Sequence, residues 1–386
     1  MFKTDSPRGS LGIMVCRRNN AEPNCLKQRY MALCREGRNL GMRVFVFCPD
    51  QIDWSANRIC GYGYTGERAE WKESAYEFPN LVYDRCFCSD KTQVFQYRNA
   101  IRRFKRNSFT SLLGNSMGNK WKIYRLLRRQ HTLSPHLPPT APLRNIPAFI
   151  GLMAGNRPLF LKPVRGSQGK GALHCFQETD GSYAVRGRDR NNLPIRCRFS
   201  DADSFGRWLA GYTSGQHYLV QPYLKLHDSN GSAFDIRSLV QKNARGQWQL
   251  TGTVIRLGQK GSVTSNLHGG GSALHPMPFL TEQYGKQRAE DIMATICTLS
   301  SEIPPVLEAS FGRLVELGLD FGADRDGRVW ILEANSKPGR TAFLSLQDPR
   351  QCYEALYNPV LYARFLLHSR GLTHGSSADR RGFLGG

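Results

Sequence analysis

The stretch LGLDFGADRDGRVWILEANSKPG, Leu317–Gly339, decides the fold. Asp326-Gly327 is a strong hairpin signal, because a tight two-residue turn needs backbone angles that Asp and Gly tolerate. With those two residues as the loop, Arg325 faces Arg328, and counting outward sets Asp320 opposite Glu333. Side chains alternate along a strand, so Glu333 and Asn335 share one face and Asp320 joins them. Val329, Trp330, Ile331 and Leu332 are apolar on both faces, which sinks the acids in an otherwise buried sheet. Two close carboxylates in such a place repel and resist ionisation unless a cation sits between them. Two carboxylates and an amide are hard oxygen donors, suited to Mg2+ completed by water and nucleotide phosphates. The apolar flanks argue against the plainer reading of two edge carboxylates in solvent.

Upstream, HYLVQPYLKL and SAFDIRSLVQKN (His217–Asn243) give a buried strand ending at Pro222 and a second strand carrying Asp235 and Arg237 on one face. An acid so placed can orient a guanidinium toward a phosphate or carboxylate, although a lone Asp–Arg pair is more often a plain salt bridge. Arg256, in TGTVIRLG, falls on the hairpin partner of that strand, and the glycine turn SNLHGGG (Ser265–Gly271) follows, with His268 read as structural. Further back, LFLKPVRGSQGKG (Leu159–Gly171) is an apolar strand that delivers Lys162 and then glycines at 166, 169 and 171. Glycines let backbone amides approach an anion, and the lysine adds a point charge. The spacing is not that of a P-loop, and no GxGxxG follows the first strand. No Ser/His/Asp or Cys/His arrangement stands out.

At the N-terminal end, LGIMVC (Leu11–Cys16), a helical stretch Cys25–Asn39 and MRVFVFC (Met42–Cys48) read as strand, helix, strand, the signature of an α/β layer. A polar hairpin over Ile59–Lys72 and a strand LVYDRC (Leu81–Cys86) extend it. The chain of 386 residues, 40% hydrophobic and 22% charged, is long enough for two or three packed domains. Its 53 Lys and Arg against 31 Asp and Glu leave +22, which points to anionic partners. No apolar run approaches the roughly 20 residues of a membrane span, and no secretory signal opens the chain, so the expectation is a cytoplasmic protein. The eleven cysteines include no metal-binding doublet and read as reduced thiols. Ten basic residues and no acidic one fall between Arg98 and Gln130, either a solvated helix face or a surface for a polyanion. The Pro-rich HLPPTAPL (His136–Leu143) marks a turn.

Taken together, GNKWKIYRLL, LFLKPVRGSQGKG, FDIRSLVQKN, VTSNLHGGG and ILEANSKPGR resemble the ATP-grasp superfamily, and most closely its YheC/YheD family of endospore coat-associated proteins. The resemblance covers nearly the whole chain. It implies an α/β (α+β) protein: a flexible N-terminus (1–10), a pre-ATP-grasp α/β domain (11–110), an ATP-grasp domain (111–370) whose subdomains divide near residue 215 around a nucleotide cleft, and a disordered tail (371–386). It also implies ATP with Mg2+, two ions or Mn2+ in their place. By position, Lys120 and Lys162 would neutralise phosphates, and Gly166, Ser167 and Gly169 would belong to the loop closing over them. Gln221, Tyr223 and Leu224 would form the adenine hinge, acting through the main chain where many relatives have an acid at Gln221. Asp320, Glu333 and Asn335 would be the metal triad, while Arg237, Arg256 and Asn266 would face the transferring phosphate and the acyl group.

The implied reaction is a carboxylate–amine ligation through an acyl phosphate, with endospore coat or envelope formation as its setting. An acidic peptide or polymer fits the charge better than nucleic acid, and spore-coat proteins are implied partners. The competing expectation is a degenerate or structural spore-coat-associated protein that only binds nucleotide or an acidic polymer.

Overall fold

The computed structural model describes residues 9–17, 28–65, 70–166, 169–258 and 271–375. β1 (Ser10–Met14), α1 (Gln28–Asn39) and β2 (Arg43–Phe47) form the expected unit, with β1 and β2 parallel and Leu11 opposite Val44. β3 (Ile52–Asp53), β4 (Arg58–Thr65) and β5 (Glu70–Glu77) follow as antiparallel strands, and β6 (Leu81–Asp84) returns parallel to β1 on its other side. α2 (Lys91–Arg106) begins where the Asp90 carboxylate accepts the Gln93 amide at 2.8 Å, satisfying a donor the helix cannot. With β7 (Ser111–Leu112), the first sheet runs β3-β4-β2-β1-β6-β7, and β5 pairs with β4.

α3 (Lys120–Arg128) is capped by Asn119, and β8 (Ala141–Pro142) and α4 (Ile146–Met153) lead into β9 (Leu159–Pro163). β10 (Leu173–Gln177), β11 (Tyr183–Arg188), β12 (Pro194–Phe199), α5 (Ala202–Thr213) and β13 (Tyr218–Pro222) complete a second sheet ordered β12-β11-β10-β9-β13-β8. Leu161, Leu173 and Val185 on one face pack with Phe149 and Phe205 of α4 and α5. Strand alternation therefore turns Phe160, Lys162 and His174 to the other face.

The third sheet contains β14 (Phe234–Lys242), β15 (Trp248–Leu257) and β16 (Ser272–Leu274). After α6 (Pro276–Tyr284) and α7 (Lys286–Phe311) it is completed by β17 (Glu316–Ala323) and β18 (Val329–Asn335), in the order β16-β15-β14-β17-β18. α7 and α3 cover one of its faces through Ile292, Ile296, Ile123 and Leu127. α8 (Thr341–Ser345) and α9 (Pro349–Gly375) are the last described elements, and α9 packs Val360 on the first sheet's core and Ala355 on the third's. The helix continues into the stretch expected to be a tail; residues beyond 375 lie outside the described ones.

The β17–β18 turn departs from the expected two-residue loop. Asp324 donates its amide to Arg328 O at 3.1 Å, and Gly327, at φ +76°, donates to Asp324 O at 2.9 Å. The loop is thus Arg325–Gly327, three residues with glycine in the left-handed position. The inner pairs, such as Phe321 with Ile331, are accordingly one place off the two-residue count. The register then shifts between Asp320 and Phe321, leaving Leu332 as an extra residue on β18, and the pair Asp320–Glu333 is restored. Two offsets cancel, so the expected facing of the two acids stands.

A buried charge network ties the first sheet to the third. Glu316, 1% exposed, accepts from Tyr83 Oη at 2.6 Å, Arg85 Nη1 at 2.8 Å and Arg340 Nη2 at 2.5 Å. Burial would raise the Glu316 carboxyl, but Arg340 and Arg85 hold it below the usual carboxylate range. Beside it, Lys337 pairs with Asp84 at 2.7 Å and donates to Tyr97 Oη at 3.1 Å. The segment that follows Asn335 is therefore bolted to β6 and α2.

Candidate active site

Three strands of the third sheet carry a cross-strand row of charge. Asp235 lies opposite Arg256, and Arg237 lies opposite Asp320. Arg256 grips Asp235 with two bonds, Nε to Oδ1 at 2.6 Å and Nη2 to Oδ2 at 2.5 Å. Arg237 grips Asp320 through Nε and through Nη2, the latter at 2.7 Å, and Arg256 Nη2 reaches Asp320 Oδ2 at 3.1 Å. This corrects the expectation that Asp235 orients Arg237: neighbours directly across a ladder are closer than residues two apart on one strand. Burial pushes the Asp320 carboxyl upward, and Arg237 and Arg256 outweigh it, so Asp320 stays ionised.

Facing this row, the second sheet and α3 contribute two lysines. Lys120 Nζ lies 3.3 Å from Glu333 Oε1 and donates to Gly166 O at 2.5 Å. Lys162 Nζ donates to Leu332 O at 3.2 Å, using the carbonyl of the bulged residue. Burial pulls the Lys162 ammonium down to about 8; Lys120 pulls the same way, and Glu333 and Asp320 pull back. Gly166 adopts φ +135° with open space where a Cβ would stand, and Gly169 adopts φ +70°, backbone angles that residues with side chains rarely take. Ser167 and Asn266 lie outside the described residues, as does His268.

At the end of β13 the Gln221 side-chain Nε2 donates to Thr140 Oγ1 at 2.6 Å, and the Thr140 backbone amide donates to Tyr124 Oη at 3.1 Å. Lys120, Lys162, Gln221, Leu332 and Glu333 line a common cavity of about 30 Å³ with Tyr124 and Thr140. The Tyr223 amide is occupied by Pro158 O at 2.9 Å, and among the described residues no hydrogen bond reaches the Leu224 amide. One residue was not anticipated. His174 stacks on Tyr223 with ring centroids 3.5 Å apart, and its Nε2 is buried with no partner among the described residues. Burial, with Arg186 adding to it, holds its imidazole down at about 4, so the ring is neutral at pH 7. The signal was present in GALHCFQ, since Leu173 packs inward and the next residue of a strand must face the opposite way.

The model of the YheC/D-like ATP-grasp family matches residues 110–366. The chain belongs to this family. Among YheC/D-like proteins, it is 28% identical over 338 residues to the endospore coat-associated protein YheC of Bacillus subtilis (strain 168), covering 86% of this chain and 91% of YheC. It is 28% identical over 308 residues to YheD of the same organism, covering 78% of this chain and 66% of YheD. Among solved structures, D-cycloserine synthetase DcsG is 14% identical with a TM-score of 0.49, covering 94% of this chain and 99% of that one. No helix among the described residues is long and apolar enough to cross a membrane.

ATP-grasp families use ATP with Mg2+ or Mn2+, and the donor set can be tested against such an ion. Register puts Asn335 two residues from Glu333 on the face shared with Asp320, and both Glu333 and Asn335 are half-buried. Asp320 Oδ2 already accepts from two guanidinium nitrogens, whereas Oδ1 accepts from one and keeps a lone pair. Oxygen donors alone suit a hard divalent cation.

Proposed function

We propose that this protein is an ATP- and Mg2+-dependent carboxylate–amine ligase, working through an acyl phosphate in the setting of the endospore coat or envelope. The observation that carries this reading is the meeting of Lys120 and Lys162 with β18: one lysine on Glu333, the other on the bulged Leu332 carbonyl, opposite the Asp320–Arg237–Arg256 row. Lys120 and Lys162 would bind the nucleotide phosphates, with the backbone of Gly166, Ser167 and Gly169 above them. The Leu224 amide would meet the adenine edge, while Tyr223 and Leu224 flank the ring and Gln221 braces the hinge from behind.

Asp320 Oδ1, Glu333 and Asn335 would hold the metal, which when bound neutralises phosphate charge. Lys120 would leave Glu333 for phosphate as the nucleotide enters. Phosphoryl transfer gathers negative charge on the equatorial oxygens, and cations fixed in advance stabilise it without reorganising. Arg256, held by Asp235, and Arg237, held by Asp320, are such cations; Arg237, Arg256 and Asn266 would orient the acyl phosphate for attack by the amine. In the reaction the substrate carboxylate oxygen bonds to the γ-phosphorus as ADP leaves. The amine nitrogen then bonds to the acyl carbon as phosphate leaves and the amine gives up a proton. An ADP-release assay against amino acids, peptides and acidic polymers tests this, and AMP with pyrophosphate as products would refute the route.

A second reading is a nucleotide-binding spore-coat-associated protein without turnover, favoured by the saturation of Asp320 Oδ2 with arginine hydrogens. It predicts Mg·ATP binding with no ADP release on any acceptor.

A further inference from the structure

Helix α2 presents a surface that the proposed ligase chemistry does not use. Lys91, Phe95, Arg98, Arg102, Lys105 and Arg106 are all exposed and fall within about 100° of its circumference. The opposite side buries Gln93, Ala100 and Phe104 against the first sheet. Phe95 is 74% exposed in the second turn, and Phe109, 81% exposed, lies just past the C-terminal end. Among the described residues none of the five cations makes an ion pair or side-chain hydrogen bond, and the chain has no acidic residue between Asp90 and Glu178.

Local structure explains only part of this. Lys105 and Arg106 sit in the last turn, where a helix dipole favours cations. Lys91 stands at the first helical position, where the dipole disfavours it, and Arg98 and Arg102 repel one another four residues apart. The helix thus carries a like-charge cost that a bound anion would offset. Two largely exposed phenylalanines, one within the cationic run and one just past its end, favour an interface that is anionic at its surface and apolar beneath.

We propose that α2 docks this protein on an anionic lipid surface, the cations meeting headgroup phosphates while Phe95 and Phe109 enter the interfacial layer. The stripe is the convex side of a helix, and the cavity described above is lined by other segments, so a flat surface suits it better than a groove-seeking peptide. Phenylalanine offers no hydrogen bond for reading bases, which sets duplex DNA behind lipid.

Sedimentation of the whole protein with phosphatidylcholine vesicles, with and without phosphatidylglycerol, tests the proposal, with soluble duplex DNA and polyglutamate as competitors. The protein should bind only the phosphatidylglycerol vesicles, and added salt should weaken binding. Arg98→Ser with Arg102→Ser should lower the affinity on the order of thirtyfold, given the contribution of each cation near such a surface. Phe95→Ser with Phe109→Ser should lower it several-fold while leaving the salt dependence unchanged. Circular dichroism on both variants confirms that α2 remains folded. The proposal is overturned by equal binding to phosphatidylcholine alone, by no binding to either vesicle, by DNA or polyglutamate displacing the vesicles, or by folded variants that bind like the parent.

Discussion

At the residue scale, Asp320 and Glu333 are both metal candidates, yet the fold treats them differently. Asp320 is buried and is the acid partner of Arg237, while Arg256 keeps Asp235, so Asp320→Asn leaves one largely buried cation without its acid and should cost about 3 kcal/mol in urea denaturation. Glu333 is a partly exposed partner of Lys120, and Glu333→Gln should change stability by less than about 1 kcal/mol while strongly weakening Mg·ATP in titration calorimetry. Equal nucleotide binding by Glu333→Gln would remove the metal assignment. Lys162 supplies a pH test. Its ammonium titrates at about 8 in the free protein, and a bound triphosphate favours the charged form, moving the titration upward. ATP binding should therefore take up protons from about pH 8 upward and almost none well below it. Calorimetry in buffers of different ionisation enthalpy measures the uptake, and Lys162→Met should abolish it.

At the element scale, the β17–β18 hairpin does most of the positioning. Its loop fixes Gly327 in the left-handed region, where a Cβ would also meet the Arg288 side chain at 2.7 Å. Gly327→Ala should lower stability by about 1–2 kcal/mol with Mg·ATP affinity unchanged, because the strain lies at the loop end of the hairpin. The facing of Asp320, Glu333 and Asn335 was legible because turn chemistry and strand alternation are local, but the count behind it missed the third loop residue and the Leu332 bulge. Asp326-Gly327 fits a two-residue and a three-residue loop alike, and the Leu332 bulge has no sequence marker. The partner of Arg237 was illegible for a related reason, since Asp320 reaches it only once β14 pairs with β17, 83 residues apart at the contact. His174 needed only the pairing of β9 with β10 to be turned to the sheet face that carries Lys162.

At the scale of the whole molecule, the first and third sheets are held in one arrangement by the Glu316 network and by α9. Glu316→Ala leaves Arg85 and Arg340 buried without their acid and should destabilise the protein by about 3–5 kcal/mol. The ion pair also sets an acid limit. Glu316 and Asp320 titrate below the usual carboxylate range, so the stability they supply is complete above the unfolded carboxylate pKa and is lost as pH falls through their depressed values. Thermal melts from neutral to acid pH should show that loss. The central claim is ATP-driven amide formation at the Lys120–Lys162–β18 cleft. Its most direct test is the products formed from ATP when amino acids, peptides and acidic polymers are supplied as acceptors, with Glu333→Gln in parallel. The account predicts ADP and phosphate in step with a new amide and neither with Glu333→Gln; AMP with pyrophosphate, or ADP release that Glu333→Gln leaves unchanged, would contradict it.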